Sequence, residues 1–155
     1  MRVTTWAEYG LIVSVQLARR FGEGPVAARE LAEAERLPGD YVEQILLRLR
    51  RAGIVTALRG ARGGYQLART PEDTTVRDVL EASEHGTFEV NCDCHPVDAE
   101  RCARDASCSI RPVWQILKQR IDETLGSIRL ADLLGAEDEV RATVQHAGLG
   151  VPTAV

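Results

Sequence analysis

Residues 40–69 read DYVEQILLRLRRAGIVTALRGARGGYQLAR, and the division of this stretch decides the fold. At 100° per residue, Tyr41, Val42, Ile45, Leu46, Leu49 and Ala52 fall within one arc of about 140°. Asp40, Glu43, Gln44, Arg48, Arg50 and Arg51 occupy the opposite arc, with Leu47 the one apolar residue among them. The pattern predicts a helix with one buried face and one polar face. Pro38 suits its first turn, where a missing N–H costs nothing, and Gly53 supplies its stop. The period then changes: IVTAL and YQLAR are β-prone runs flanking the Gly-rich RGARGG, which reads as a hairpin.

Working outward, Thr5 and Glu8 form a T-x-x-E capping box expected to open a first helix. That helix continues to the breaker Gly22-Glu23-Gly24-Pro25, and AARELAEAER fits a short second helix. Three helices followed by a hairpin is the order of a winged helix-turn-helix. Beyond the hairpin, Thr75-x-x-Asp78 opens another helix, and Gly86, Asn91 and Pro96 argue for a loop. Ile110, Val113, Leu117, Ile121, Leu125 and Ile128 then recur at spacings of three and four, beside Trp114 and Thr124. This predicts a long helix starting near residues 109–111, since Pro112 is tolerated only in a first turn. The last twenty residues show weak periodicity and read as a partly disordered tail.

The net charge of −4 hides an asymmetry. Residues 36–69 carry seven Arg against two acids, a basic segment in an acidic chain; this suits an anion-binding face or a solvated, salt-bridged surface. No basic patch with a long apolar run marks a signal peptide, and no window reaches a membrane span. The chain is expected to be soluble and cytoplasmic, where persistent disulfides are rare.

A winged helix puts the polar face of its third helix in the major groove. On that face Arg48 and Arg51 reach phosphates or guanine edges, Gln44 pairs with adenine, and Glu43 accepts from cytosine. Arg59 and Arg62 at the hairpin tip are placed for a minor groove. Asp40, Tyr41 and Gly63 complete the candidate DNA-facing set, although Tyr41 lies in the apolar arc and reads first as core. Each residue also has a plainer reading, because any surface helix has a polar face and many hairpins have Gly-rich tips.

All four cysteines lie in NCDCHPVDAERCARDASC, residues 91–108. Cys92 and Cys94 form C-x-C, and Cys102 and Cys108 form C-x5-C. Neither half has the paired C-x-x-C hooks usual for structural zinc, and the flanks are too polar for inert buried thiols. Irregular spacing in a loop suits an iron–sulfur cluster; zinc, a thiol switch and no role stay open on spacing alone.

The 40–69 stretch resembles the third helix and wing of the IscR/NsrR family of bacterial transcription regulators, also called the Rrf-two family. TTWAEYGL resembles that family's opening helix, TTVRDVLEA the segment after the wing, and SIRLADLL the segment closing its last long helix. The resemblance covers roughly residues 1–134. It implies a homodimer whose long C-terminal helices cross, a double-stranded DNA operator as partner, and a repressor rather than an enzyme. It also implies an iron–sulfur cluster (2Fe-2S or 4Fe-4S) held by three cysteines, with nitric oxide, redox state or cluster supply as the signal.

Cys102 and Cys108 match the second and third of those cysteines, and the first is Cys92 or Cys94. IscR-like members place a His three residues after the last cysteine, where this chain has Arg111. NsrR-like members use an acidic residue of the first helix from the other subunit. The matching residue is Glu8, read either as a ligand or only as the partner of Thr5 in its cap; Cys94 and His95 are further candidates. The expected fold class is mainly α with a small β-hairpin wing. A winged helix-turn-helix domain (1–84) precedes a cysteine-rich loop (85–109), a dimerisation helix with its closing segment (110–134) and the tail (135–155). The competing reading keeps the winged helix but makes the cysteine loop a zinc or thiol-redox element with no cluster. An enzyme using Cys102 or Cys108 as nucleophile fits least, for want of a Cys, His and Asp set.

Overall fold

The computed structural model describes residues 3–60, 63–84, 98, 100, 102–103 and 107–148. Helix α1 is Thr5–Arg19. Its cap corrects the expectation: Thr4, not Thr5, is the N-cap, accepting from the Ala7 N–H at 3.5 Å. Thr4 also donates to the Glu84 carboxylate, which selects it over its neighbour. Glu8 therefore sits one turn inside the helix, exposed, with no part in a capping box.

Helix α2 (Ala28–Glu35) follows, then α3 (Gly39–Arg51), with Pro38 as N-cap. The predicted stripe is the buried one: Val42, Ile45, Leu46 and Leu49 are fully enclosed. Its two edges differ, since Tyr41 and Ala52 are exposed. Gly53, at φ 72°, turns the chain out of α3.

Strands β1 (Val55–Leu58) and β2 (Gly64–Leu67) pair antiparallel from Val55–Leu67 to Leu58–Gly64. The hairpin is rooted on the helices by Val26, whose N–H and carbonyl exchange 2.8 Å bonds with Tyr65. A side chain on Gly64 would collide with the Val26 carbonyl, so a glycine is required at this approach. Beyond the wing, α4 (Val76–Ser83) opens with the expected Thr75–Asp78 capping box.

Helix α5 (Arg111–Ser127) carries Pro112 in its first turn, as predicted, and buries no residue of its own. After it the chain returns to the start of α4: the Val76 N–H donates to the Ile128 carbonyl, and the Leu130 N–H to the Thr74 carbonyl, both at 2.9 Å. Leu130 is fully buried in one core with Val13, Leu17, Val42, Ile45, Leu49, Ile54 and Val79.

Within the tail, expected to be partly disordered, Glu137–Gly148 forms helix α6. Its sequence has a weak apolar stripe but a strong start. Glu137, Asp138 and Glu139 crowd the first turn, where the helix dipole favours anions, and the Glu139 carboxylate accepts from the Ala136 N–H at 3.0 Å. Residues 149–155 lie outside the described residues.

Candidate nucleic-acid interface and cysteine centre

The face of α3 turned from the core exposes Asp40, Glu43, Gln44, Arg50 and Arg51, with Leu47 half-buried. Arg48 differs from its sequence reading. Its guanidinium lies 3.9 Å from the Trp6 ring centroid and donates to the Ser83 carbonyl at 2.5 Å. Stacking on an aromatic face and a charge-assisted bond to a carbonyl commit it to α1 and α4, so it leaves the set of candidate DNA contacts. Tyr41 is neither core nor free surface. It is 39% exposed, with its ring 4.9 Å from Trp6 and edge-on to Tyr9 at 5.9 Å.

We expect Arg48→Ala to lower stability by about 1–3 kcal/mol, from a lost charged hydrogen bond and stacking. The salt dependence of DNA binding should not change. Chemical denaturation and binding isotherms check this; a shallower salt slope would restore Arg48 as a phosphate contact.

In the wing, Arg59 is exposed and Gly60, at φ 121°, turns the chain. Arg62 lies outside the described residues. Gly63 is there for the turn, since a side chain would strike the Leu58 carbonyl. Arg69 ties the wing's base to Asp78 of α4 at 3.3 Å.

A depression of about 530 Å³ separates α2 from α3, lined by Arg29, Glu33, Arg36, Gly39, Asp40 and Glu43 among others. Arg29 is held by Glu33 at 2.6 Å, and this hydrogen bond raises the Arg29 pKa above its ordinary value.

Of the cysteines, Cys102 and Cys108 are described; both are half-buried and outside any disulfide. Cys92, Cys94 and His95 lie outside the described residues. The Cys102 N–H donates to the Asp98 carbonyl at 2.9 Å. Arg111 gathers the segment. Its guanidinium donates to the Ala103 carbonyl at 2.7 Å and, at 3.5 Å, towards that of Cys102, while its N–H donates to the Cys108 carbonyl at 3.3 Å. Soft sulfur donors suit iron, and the N-terminal end of α5 puts positive potential beside them. These two thiols would suit an iron–sulfur cluster, while among the described residues no group of three His, Cys, Asp or Glu is brought together to hold a metal. Glu8 lines a separate depression of about 490 Å³ with Leu11, Ile12, Val15 and Leu133 among others; within one chain it is not brought to the cysteines in any described contact.

Residues 3–136 match the family model Rrf2, described as "Iron-dependent Transcriptional regulator". This chain belongs to the Rrf2 family. It is similar to the HTH-type transcriptional regulator CymR of Bacillus subtilis, 31% identical over 138 residues, covering 89% of this chain and 93% of that one. The solved structure of that CymR, described as a global cysteine regulator, superposes with a TM-score of 0.69 over 86% of this chain and 96% of that one. The IscR of Sodalis glossinidius is 31% identical over 138 residues, covering 89% and 81% of the two chains. The structure described as T. potens IscR is 37% identical, with a TM-score of 0.68 over 86% of each chain. This Rrf2 protein is accordingly a transcription regulator with a DNA-binding winged helix, and not an enzyme. Among the described residues, no helix is long and apolar enough to cross a membrane.

Two features of this Rrf2 chain have no local signal in its sequence. The stacking of Arg48 on Trp6 joins residues far apart in sequence. Arg111 stands where IscR-like members place a His, but that spacing does not announce its hold on the Cys102, Ala103 and Cys108 carbonyls.

Proposed function

We propose that this regulator is a homodimeric repressor that binds a double-stranded DNA operator and holds an iron–sulfur cluster. Cys102, Cys108 and one of Cys92 and Cys94 would hold it, with Glu8 of a second copy as the fourth donor. In this reading residues 1–84 read DNA through Asp40, Glu43, Gln44, Arg51, Arg59 and Arg62. Residues 85–109 sense, and 110–134 dimerise.

The observation that carries the reading is the position of the two thiols. They sit at the root of α5, whose first turns present apolar side chains to solvent: Val113 is 58% and Ile116 59% exposed, with Ile110 and Trp114 also exposed. Exposed apolar side chains grouped in this way suit an association surface. Glu8 supports it as well, being exposed and released from capping. When bound, the cluster supplies an iron centre that responds to nitric oxide or redox state. The chain's own residues would anchor it, Arg111 by holding the carbonyls of Cys102, Ala103 and Cys108.

Purification without oxygen tests this. The reading expects a brown dimer with bound iron and sulfide; a colourless protein with stoichiometric zinc would sink it. The second reading, a zinc or thiol-redox loop without a cluster, draws on the likeness to a CymR described as a cysteine regulator. It predicts unchanged operator binding after iron chelation and altered binding after thiol oxidation.

A further inference from the structure

Arg36 closes α2 with φ 54° and ψ 37°, the left-handed conformation. Among the described residues it is the one non-glycine at positive φ; the other such positions are Gly22, Gly24, Gly53 and Gly60. Its N–H donates to the Glu33 carbonyl at 3.3 Å, and the Leu37 N–H to the Ala32 carbonyl at 2.9 Å. These bonds form a helix stop in which glycine is the favoured residue, because a Cβ crowds the backbone there. An arginine in this place strains the fold, and the strain calls for a compensating role of the side chain.

That side chain is exposed. It borders the α2–α3 depression together with Glu33, Asp40 and Glu43, yet among the described residues no carboxylate lies within ion-pair distance of it. Its neighbour Arg29 is paired with Glu33. An arginine in sight of three carboxylates and bound to none has its charge available for an outside anion. The depression also includes Gly39 and Asp40, the start of α3. In a docked helix-turn-helix, the start of the recognition helix meets base edges while the helix before it crosses the phosphate backbone. The turn between them faces that backbone.

We propose that Arg36 is a further DNA contact, a clamp on a backbone phosphodiester beside the start of α3. The inference rests on the DNA-reading function proposed above. Its charge offsets Asp40 and Glu43, whose carboxylates alone would repel the duplex. A phosphate contact positions the protein and does not discriminate sequence, so its loss weakens all duplexes alike.

The test compares full-length wild type, Arg36→Gly and Arg36→Lys. The probes are a mixed-sequence duplex of about 30 base pairs and a duplex selected from a random pool by the wild-type protein. Titrations run between about 50 and 200 mM salt. Arg36→Gly relieves the backbone and should raise Tm by about 2–4 °C. It should weaken both duplexes about threefold to tenfold and make the salt slope shallower by about 0.9 per subunit engaged. Arg36→Lys should keep the wild-type slope without the gain in Tm. A protein made more stable and a poorer binder by one substitution excludes misfolding as the cause. An unchanged slope in Arg36→Gly overturns the inference, and a lowered Tm with that slope assigns Arg36 to capping α2. If wild type binds neither duplex, the DNA-reading function itself fails, and this inference with it.

Discussion

Cys102→Ala and Cys108→Ala should each remove the visible absorption of anaerobically purified protein entirely, with iron and sulfide falling to background. A methyl group cannot replace a thiolate bond to iron, and clusters of this kind rest on few protein ligands. Neither cysteine belongs to the hydrophobic core, so the winged helix should keep its helical circular dichroism and its melting temperature. That separates ligand loss from unfolding. Of Cys92→Ala and Cys94→Ala, only one should bleach the protein. Glu8→Ala should weaken cluster retention without affecting the cap, because Thr4 makes that bond. Full colour in either the Cys102 or the Cys108 variant would remove that residue from the ligand set.

Ile116→Glu, alone or with Val113→Glu, should convert the proposed dimer to a monomer and weaken operator binding by roughly 100-fold or more. Burying a large aliphatic side chain is worth about 1.5–3 kcal/mol. The exposed Ile110, Val113, Trp114 and Ile116 of two copies therefore offer on the order of 10 kcal/mol before the costs of association. A carboxylate buried there without a partner costs several kcal/mol, enough to remove the net gain. The substitution should leave monomer stability unchanged, since α5 buries no residue within its own chain. Sedimentation or light scattering decides it: a variant that stays dimeric places the association surface elsewhere.

The reading head was largely legible because periodicity and burial coincide there. Val42, Ile45, Leu46 and Leu49 answer to one spacing rule, and Gly53 and the Thr75–Asp78 box end and begin elements by local chemistry. What escaped was decided by tertiary contact. Two adjacent threonines offer equal caps, and Thr4 is chosen by Glu84, eighty residues away. Arg48 lies on the margin of the polar arc, so its rotamer follows Trp6 and Ser83 rather than helical phase. Helix α6 announces itself through first-turn carboxylates more than through apolar spacing. The cysteines stood out as a cluster of thiols, but the proposed ligand set would draw on a second chain, and that is not a local property of sequence.

The return of the chain after α5 has a consequence for how the molecule is divided. Ile128 and Leu130 are bonded to the start of α4, and Leu130 fills the centre of the winged-helix core. The core is therefore completed only by residues that follow the cysteine segment in sequence. A fragment ended at residue 84 would not be a smaller reading head but one with a hole where Leu130 belongs. Residues 85–127 are an excursion closed at its base, hemmed in at both ends by the same helix. Closing a loop of that length costs little more than closing a shorter one. Its interior is thus free to lengthen, shorten or change its side chains in descent, provided the two residues that shut it are kept.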